Sequence, residues 1–549
     1  MAENRPDTAP AETSPADGSA AATSPADGSA AGTSPADGSP AASPDAGTPA
    51  AAIPEALSGP SSSLAGLRIL VTGLGVTGFP AAVHLGERGA DVIVIDGDDT
   101  SDVSEKVQIL EVFDVDIRRG AQHVETLPEG RIDLVVTSPG WRPDQPVLAA
   151  AAAAGIPVIG EVELAWRIRG TNDAKWLAIT GTNGKTTTTT MLESMLLAAG
   201  LRAKACGNIG TPLLEAVLEP GLEVLAIELS SFQLHWQESM SADAAAVLNI
   251  APDHLDWHGS AEAYAADKAK IYHNAKLACV YNCADDVTLH MVEDADVIEG
   301  AKAIGFTTGV PRPGELGVVE DLLVDRAFIP QRYSSAAELA AVRDVAIATG
   351  VDGSRPAAHQ VANALAAACL ARAIDVPGQA ISAGLRNHSL GAHRMVTVAE
   401  SDGVRWVDDS KATNTHAANA SLASFDKIVW IAGGLPKGAD FTSLLTDHGD
   451  RIRALVLIGA DDSAFRQAIA SAGTDFEVVR IEPALGIDSG VPKRRGEAVA
   501  AAAVAAAADL AEAGDTVLLA PAAASMDQFL NYNTRGELFT EAVHTHLGR

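Results

Sequence analysis

The amino-acid sequence predicts an α/β protein of three successive nucleotide-type domains behind a disordered tail, and three observations carry that prediction. Two glycine-rich turns, at 73–78 and 181–184, each stand between an apolar strand-like run and a helical segment, the arrangement that wraps a chain around a phosphate. A third α/β series begins near residue 392, where "KIVWIAGG", "ALVLIG" and "TVLLAP" alternate with helical segments. The length of 549 residues, 47% of them hydrophobic, is enough for several cores.

Residues 1–62 are expected to form the tail. Near copies of TSPADGS begin at Thr13, Thr23 and Thr33, among Ala, Pro, Ser, Gly and Asp and without an aromatic residue. That composition cannot bury enough apolar surface to offset chain entropy.

The first domain, 63–170, opens with "LRILVTGLGVTGFPAAVHLGERGADVIVID". It reads strand, glycine turn, helix, strand, with Gly73, Gly75 and Gly78 as G-x-G-x-x-G and Asp96 closing the second strand, a Rossmann-like unit. NAD is the usual ligand of such a turn, any pyrophosphate with a ribose can use the same helix N-terminus, and a tight turn without a ligand is the plain alternative. "RIDLVVTSPG" adds a strand that ends beside the turn.

The second domain, 171–388, is of P-loop ATPase type. "WLAITGTNGKTTTTT" gives strand, loop and helix, although a strict G-x-x-x-x-G-K-[ST] loop would need glycine where Ile179 stands. Amides of the 181–185 turn can face phosphate oxygens, the Lys185 ammonium can neutralise outer phosphates, and Thr186 can hold Mg²⁺. Further strands follow at "EVLAIELS", "AAAVLNI" and "LACVYN", with a helix near 261–275. Glu228 ends a buried strand, where a carboxylate is costly unless paired or bound to a metal. Asp253, His254, Asp256 and His258 cluster past another strand end; a turn with capping aspartates is the plain reading, and the spacing is not that of a zinc site. The third domain, 389–549, is again Rossmann-like, and three such domains with one lysine loop suggest two substrates meeting at an ATP.

Bulk properties exclude several classes. There are 39 Lys and Arg against 71 Asp and Glu, a formal charge of −32 with no basic run, which argues against a nucleic-acid partner. The four cysteines form no C-x-x-C pair, so neither a disulfide framework nor a cysteine zinc site is expected. No strongly apolar run of membrane-spanning length and no secretory pattern is visible, so a cytoplasmic location without a membrane partner is expected.

The ordered motifs GTNGKTT (181–187), GNIG (207–210), ELSSFQL (228–234), NIAPDHLDWH (249–258), HQVANALAA (359–367), HR (393–394), DDSKATN (408–414) and PAAASMDQF (521–529) resemble the Mur ligase family over roughly residues 65–545. In that family the phosphate loop is GTNGK[ST], which accounts for Ile179. The D-Q-F segment and the absence of D-N-P-R favour its branch that joins D-glutamate to UDP-N-acetylmuramoyl-L-alanine in peptidoglycan precursor synthesis, and hence a role in cell wall formation, shape and division. Another Mur ligase or a folylpolyglutamate synthetase is the nearest rival. A nicotinamide dehydrogenase leaves Lys185 and Glu228 without work, and a non-catalytic module leaves both unexplained.

The resemblance implies an ATP-dependent ligation through an acyl phosphate by a monomer acting on small molecules. It places Gly181, Thr182, Asn183, Gly184, Lys185, Thr186, Thr187, Asn363, Arg394, Asp409 and Lys411 on ATP. Thr186 and Glu228 would hold one Mg²⁺, and His254 with a CO₂-derived carbamate on Lys268 a second, making Lys185, His254 and Lys268 the catalytic set. From residues alone Lys268 is an exposed helix lysine. The UDP-substrate would meet Gly75, Val76, Thr77, Asp96, Gly140 and Asn208. D-Glutamate would meet Thr413, Lys437, Ser525, Met526 and Tyr532, with Lys437 an ordinary turn lysine if the family is set aside. The chain departs from relatives in "DGDD" around Asp96, in Asp408 where Asn is common, in Ala523 where some have Cys, and in Tyr532 where Phe is frequent.

Overall fold

A computed structural model describes residues 52–548 except 60–61, 100–102, 171–172, 351–354, 389–392, 437–438, 474–475 and 482–491. The three tail repeats and Lys437 lie outside the described residues.

Three sheets follow one another along the chain. The first has five parallel strands in the order Asp116–Arg119, Asp91–Asp96, Arg68–Thr72, Leu134–Thr137, Val158–Gly160. Its inner strands carry continuous apolar runs, Ile69–Val71 and Leu134–Val136, because helices cover both faces of a parallel sheet. Strand order reverses at Arg68–Thr72, which opens a crevice at that strand's carboxyl end, and the glycine turn occupies it. Gly78 cannot be replaced there, since a Cβ would fall 1.8 Å from the carbonyl oxygen of Gly73.

The second sheet has nine strands, in the order Ala337–Ala341, Leu322–Asp325, Glu315–Val319, Lys302–Phe306, Ala278–Asn282, Ala244–Val247, Lys175–Thr180, Val224–Glu228, Ala203–Gly207. The first two pairings are antiparallel and the rest parallel. Register sets Ile179 against Glu228 and Thr180 against Val247, so the phosphate loop, the Glu228 carboxylate and the turn after Val247 emerge together. The third sheet runs Val396–Ser401, Val404–Asp408, Thr516–Leu519, Ile428–Gly433, Ile452–Ile458, Glu477–Arg480, parallel except for its first pair. Helix Pro492–Leu510 contains the alanine tract. Among the described residues no helix is long and apolar enough to cross a membrane.

Two expectations are corrected. The tail boundary at 62 is too late: Leu57 is fully buried in the core of the first sheet. Gly59 N donates to Arg167 O at 2.9 Å and Arg88 Nη2 to Ala56 O at 3.2 Å. A short segment with one buried leucine suffices to anchor a chain whose composition otherwise reads as disordered. The helix near 261–275 stops earlier, as Ala261–Ala269 followed by a 3-10 turn at Lys270–Tyr272.

Candidate active site

The phosphate loop leaves strand Lys175–Thr180 and enters helix Lys185–Ala198 through Gly184, whose φ of 83° is left-handed. A Cβ on Gly184 would lie 2.3 Å from Asn363 Oδ1, so glycine is what lets Asn363 sit on the loop. The turn after strand Ala244–Val247 and helix Ala261–Ala269 both tether the loop. Asn183 N donates to Asn249 Oδ1 at 2.9 Å, and Thr182 Oγ1 lies 2.9 Å from the Tyr264 hydroxyl. Lys185 Nζ folds back onto Gly181 O and Thr182 O, at 2.8 and 2.9 Å, and burial pushes its ammonium below the usual lysine range.

A cavity of ≈ 320 Å³ opens over this loop. Thr182, Asn183, Gly184, Lys185, Thr186, Thr187, Asn208, Glu228, Asp253, His254 and Asn363 line it from the middle sheet, and Arg394, Asp409, Lys411, Thr413 and Asn414 from the third domain. Glu228 is 1% exposed. Its Oε1 accepts from Asn208 Nδ2 at 2.8 Å, while Oε2 is buried with no hydrogen-bond partner. A buried carboxylate oxygen left bare costs several kcal/mol unless a cation completes it, to order of magnitude; the donor chemistry therefore fits a hard metal. Among the described residues no three His, Cys, Asp or Glu side chains converge as a ready metal cage, and the expected ligands include a hydroxyl and a modified lysine instead.

Lys268 does not line the cavity. It lies directly beneath the loop, 1% exposed, with Nζ 3.0 Å from Gly181 O and 3.3 Å from Thr180 Oγ1. Burial, and then Lys185, hold its amine well below the usual lysine range. Lys270 faces elsewhere and pairs with Asp267 at 2.8 Å. His254 takes a left-handed φ of 53° and packs edge-on against Phe232. His258 is turned inward, between Asp267 Oδ2 and Ser231 Oγ at 2.9 Å each, so of the two turn histidines only His254 faces the cavity.

From the third domain, Arg394 Nη1 reaches Thr187 Oγ1 at 3.1 Å, and Asn414 Nδ2 reaches Asn183 Oδ1 at 3.3 Å. Lys411 Nζ stands 3.7 Å from the Tyr532 ring centroid, a cation over a π face. Burial and the adjacent Arg394 lower Lys411 to about 8, and burial raises Asp409 to about 6.

Sequence comparisons cover the same three blocks. Residues 67–160 match the Mur ligase MurD-like N-terminal domain, 179–371 the Mur ligase middle domain, and 393–523 the Mur ligase glutamate ligase domain. The chain belongs to the Mur ligase family. UDP-N-acetylmuramoylalanine–D-glutamate ligase of Streptomyces avermitilis is 55% identical over 480 residues, covering 87% of this chain and 98% of its own. The Mycolicibacterium smegmatis protein of the same name is 42% identical over 508 residues, covering 88% and 97%. A pseudomurein peptide ligase type C from Methanothermus fervidus shares the fold, with a TM-score of 0.50 at 18% identity over 88% of this chain and 100% of that one.

For this Mur ligase the structure gathers the residues expected on ATP into one place, but divides the other two sets. Gly75, Val76 and Thr77 form the turn before helix Gly78–Glu87, with Val76 74% exposed. Asp96 Oδ2 accepts from Leu74 N at 2.6 Å, and Gly140 stands open across the crevice. Asn208, expected with them, is instead at the cavity beside Glu228. Thr413 lines the cavity and Tyr532 borders it through Lys411, whereas Ser525 is buried and Met526 is exposed, both off the cavity wall. The sequence reasoning missed Asn249 and Asn414, which hold Asn183 from two sides. Both stand inside motifs already noticed; an amide just past a strand end beside the phosphate loop points to Asn249, whereas Asn414 reads as the N-cap of helix Thr415–Leu422.

Proposed function

We propose that the protein is an ATP-dependent ligase that joins D-glutamate to UDP-N-acetylmuramoyl-L-alanine through an acyl phosphate, releasing ADP and phosphate, in cytoplasmic peptidoglycan precursor synthesis. The observation that carries it is the cavity where the phosphate-loop lysine, the bare Glu228 carboxylate and the cations Arg394 and Lys411 converge from two domains. The relatives' shared name supports the choice of substrates.

The first domain would take the uridine nucleotide at Gly75, Val76, Thr77, Asp96 and Gly140, with Asn208 at the cavity meeting the sugar end of the same substrate, the middle domain ATP, and the third D-glutamate at Thr413, Lys437, Ser525, Met526 and Tyr532. The domains are assigned to 63–170, 171–388 and 389–549, the first extended back by the packed segment around Leu57. The substrate carboxylate is a poor electrophile. Its oxygen attacks the γ-phosphorus of ATP, the bond to the ADP oxygen breaks, and the D-glutamate amine then displaces phosphate from the acyl carbon while losing a proton. Lys185, Arg394 and Lys411 bear on the phosphates, Asn363 on the adenine end, and Asp409 where the third domain closes on the nucleotide. Thr186 and Glu228 would hold one Mg²⁺, and His254 with a carbamate on Lys268 a second. Magnesium supplies positive charge that offsets the approach of two anions. Lys268 supports the carbamate because its amine is buried against the loop without an ion pair among the described residues. The enzyme would work as a monomer on small molecules, away from nucleic acid and membrane.

The test is phosphate release with UDP-N-acetylmuramoyl-L-alanine, ATP and a panel of amino acids. Turnover is expected with D-glutamate; equal turnover with L-lysine or meso-diaminopimelate overturns the reading.

A further inference from the structure

Arg394 is flanked on both sides by left-handed backbone, φ 64° at His393 and 51° at Met395. Bulky residues adopt that conformation under strain, and it persists only where the surroundings enforce it. Here the enforcement is visible. His393 Nδ1 lies 2.6 Å from Asp408 Oδ2, Lys411 N donates to His393 O at 3.2 Å, and Met395 N donates to Asp409 Oδ1 at 3.3 Å. Asp408 is itself fixed, its Oδ1 accepting from Ser410 N at 2.9 Å.

Helix Tyr532–His546 closes the other side. A Cβ on Gly536 would fall 2.2 Å from His393 Nδ1 and 2.8 Å from Asp408 Oδ2, so glycine leaves just the room the pair needs. Asp408 is 1% and His393 8% exposed. At that depth and distance the contact is a charge-assisted hydrogen bond. The hydrogen bond to Asp408 raises His393 above its ordinary value, burial opposes, and Glu537 on the closing helix adds to the rise. Arg535, from the same helix, bears on Asp408 with the opposite charge. The guanidinium so presented makes its contact across the domain boundary, at Thr187 on the phosphate-loop helix.

We propose that the Asp408–His393 pair is the positioning unit for Arg394: it holds the left-handed turn that presents the guanidinium to the outer phosphates of ATP, without itself touching the nucleotide. The inference rests on the assignment of the cavity to ATP. It also gives a use to the carboxylate at 408, where an amide could keep the shape but not the charge.

The test uses the full-length enzyme and the two variants Asp408→Ala and Asp408→Asn. Asp408→Ala is expected to raise KM for ATP about tenfold, the effect of one lost charge-assisted hydrogen bond, with KM for the UDP-substrate little changed, and to lower the melting temperature, since buried His393 and Arg535 lose their anionic partner. Asp408→Asn, which keeps the shape and carries the test should the alanine variant fail to fold, is expected to lie between the parent and the alanine variant. Its His393 imidazole should titrate at lower pH by nuclear magnetic resonance than in the parent. The alkaline rise of KM for ATP should move with it, because a histidine with a raised pKa keeps its pairing below that pKa and loses it as pH climbs through. An unchanged KM for ATP and an unmoved imidazole in Asp408→Asn, or an equal loss in every kinetic constant together with the melting temperature, overturns the positioning role. Failure of the parent enzyme to bind ATP by calorimetry overturns the ATP assignment, and the inference with it.

Discussion

Lys268 Nζ lies 3.0 Å from the carbonyl oxygen of Gly181, under the phosphate loop and out of solvent. A buried lysine without an ion pair destabilises a fold, and such a residue persists where chemistry needs it. Lys268→Met is therefore expected to abolish ligation while leaving stability unchanged or raising it by about 1 kcal/mol. In the parent protein, ¹³C-bicarbonate should give a carbamate resonance that the variant lacks. A catalytically active enzyme with a bare Lys268 amine would sink the carbamate.

The Lys411 ammonium, lowered to about 8 from 10.5, gives opposite effects on stability and on function. Its folded pKa lies below its unfolded one, so the unfolded chain binds more protons between those values and stability rises with pH there. The burial penalty is complete below about 8 and shrinks toward 10.5. Urea titrations of the parent and Lys411→Met, from about pH 8 to about pH 10, should show the parent gaining more stability than the variant. ATP affinity should fall over the same range in the parent. Parallel stability curves for the two proteins would refute the assignment.

The buried Leu57 predicts where the chain can be cut. Removing residues 1–50 is expected to leave kcat nearly unchanged, since the composition of that stretch offers no core. Removing 1–60 takes away Leu57, and Leu57→Ala alone should cost about 2–5 kcal/mol. Thermal melts of both truncations distinguish them, and equal melting temperatures would argue against the anchor.

Lys185→Ala is expected to lower ATP turnover by about a hundredfold or more, with binding of the UDP-substrate nearly intact, because the glycine turn at 73–78 and the loop at 181–184 end different sheets. Calorimetric titration with each nucleotide checks the separation. Loss of UDP-substrate binding in a folded variant would contradict it.

Much of the fold was legible because buried parallel strands read as continuous apolar runs: "LVVT", "VLAIE" and "TVLL" are strands Leu134–Thr137, Val224–Glu228 and Thr516–Leu519. The far edge of the middle sheet was not. "AELAA" has helix-forming composition but pairs as edge strand Ala337–Ala341, where a tertiary partner overrides propensity. The hairpin before it turns at Glu320, φ 55°, instead of at a glycine or asparagine that would announce it. The phosphate loop, Glu228 and His254 were legible as motif residues near strand ends. The inward turn of His258 and the depth of Lys268 were not, because helical spacing shows which residues share a face and not which face is covered.

Val76 is three-quarters exposed on the glycine turn, and with the UDP-substrate bound there, as proposed, it would carry a thermodynamic signature of that substrate's arrival. An apolar side chain standing in water orders solvent that a ligand must displace, and that release appears as a negative heat-capacity change. The enthalpy of UDP-substrate binding should therefore grow more exothermic with temperature. Polar substitution at 76 would flatten that slope even if the affinity at one temperature hardly moved.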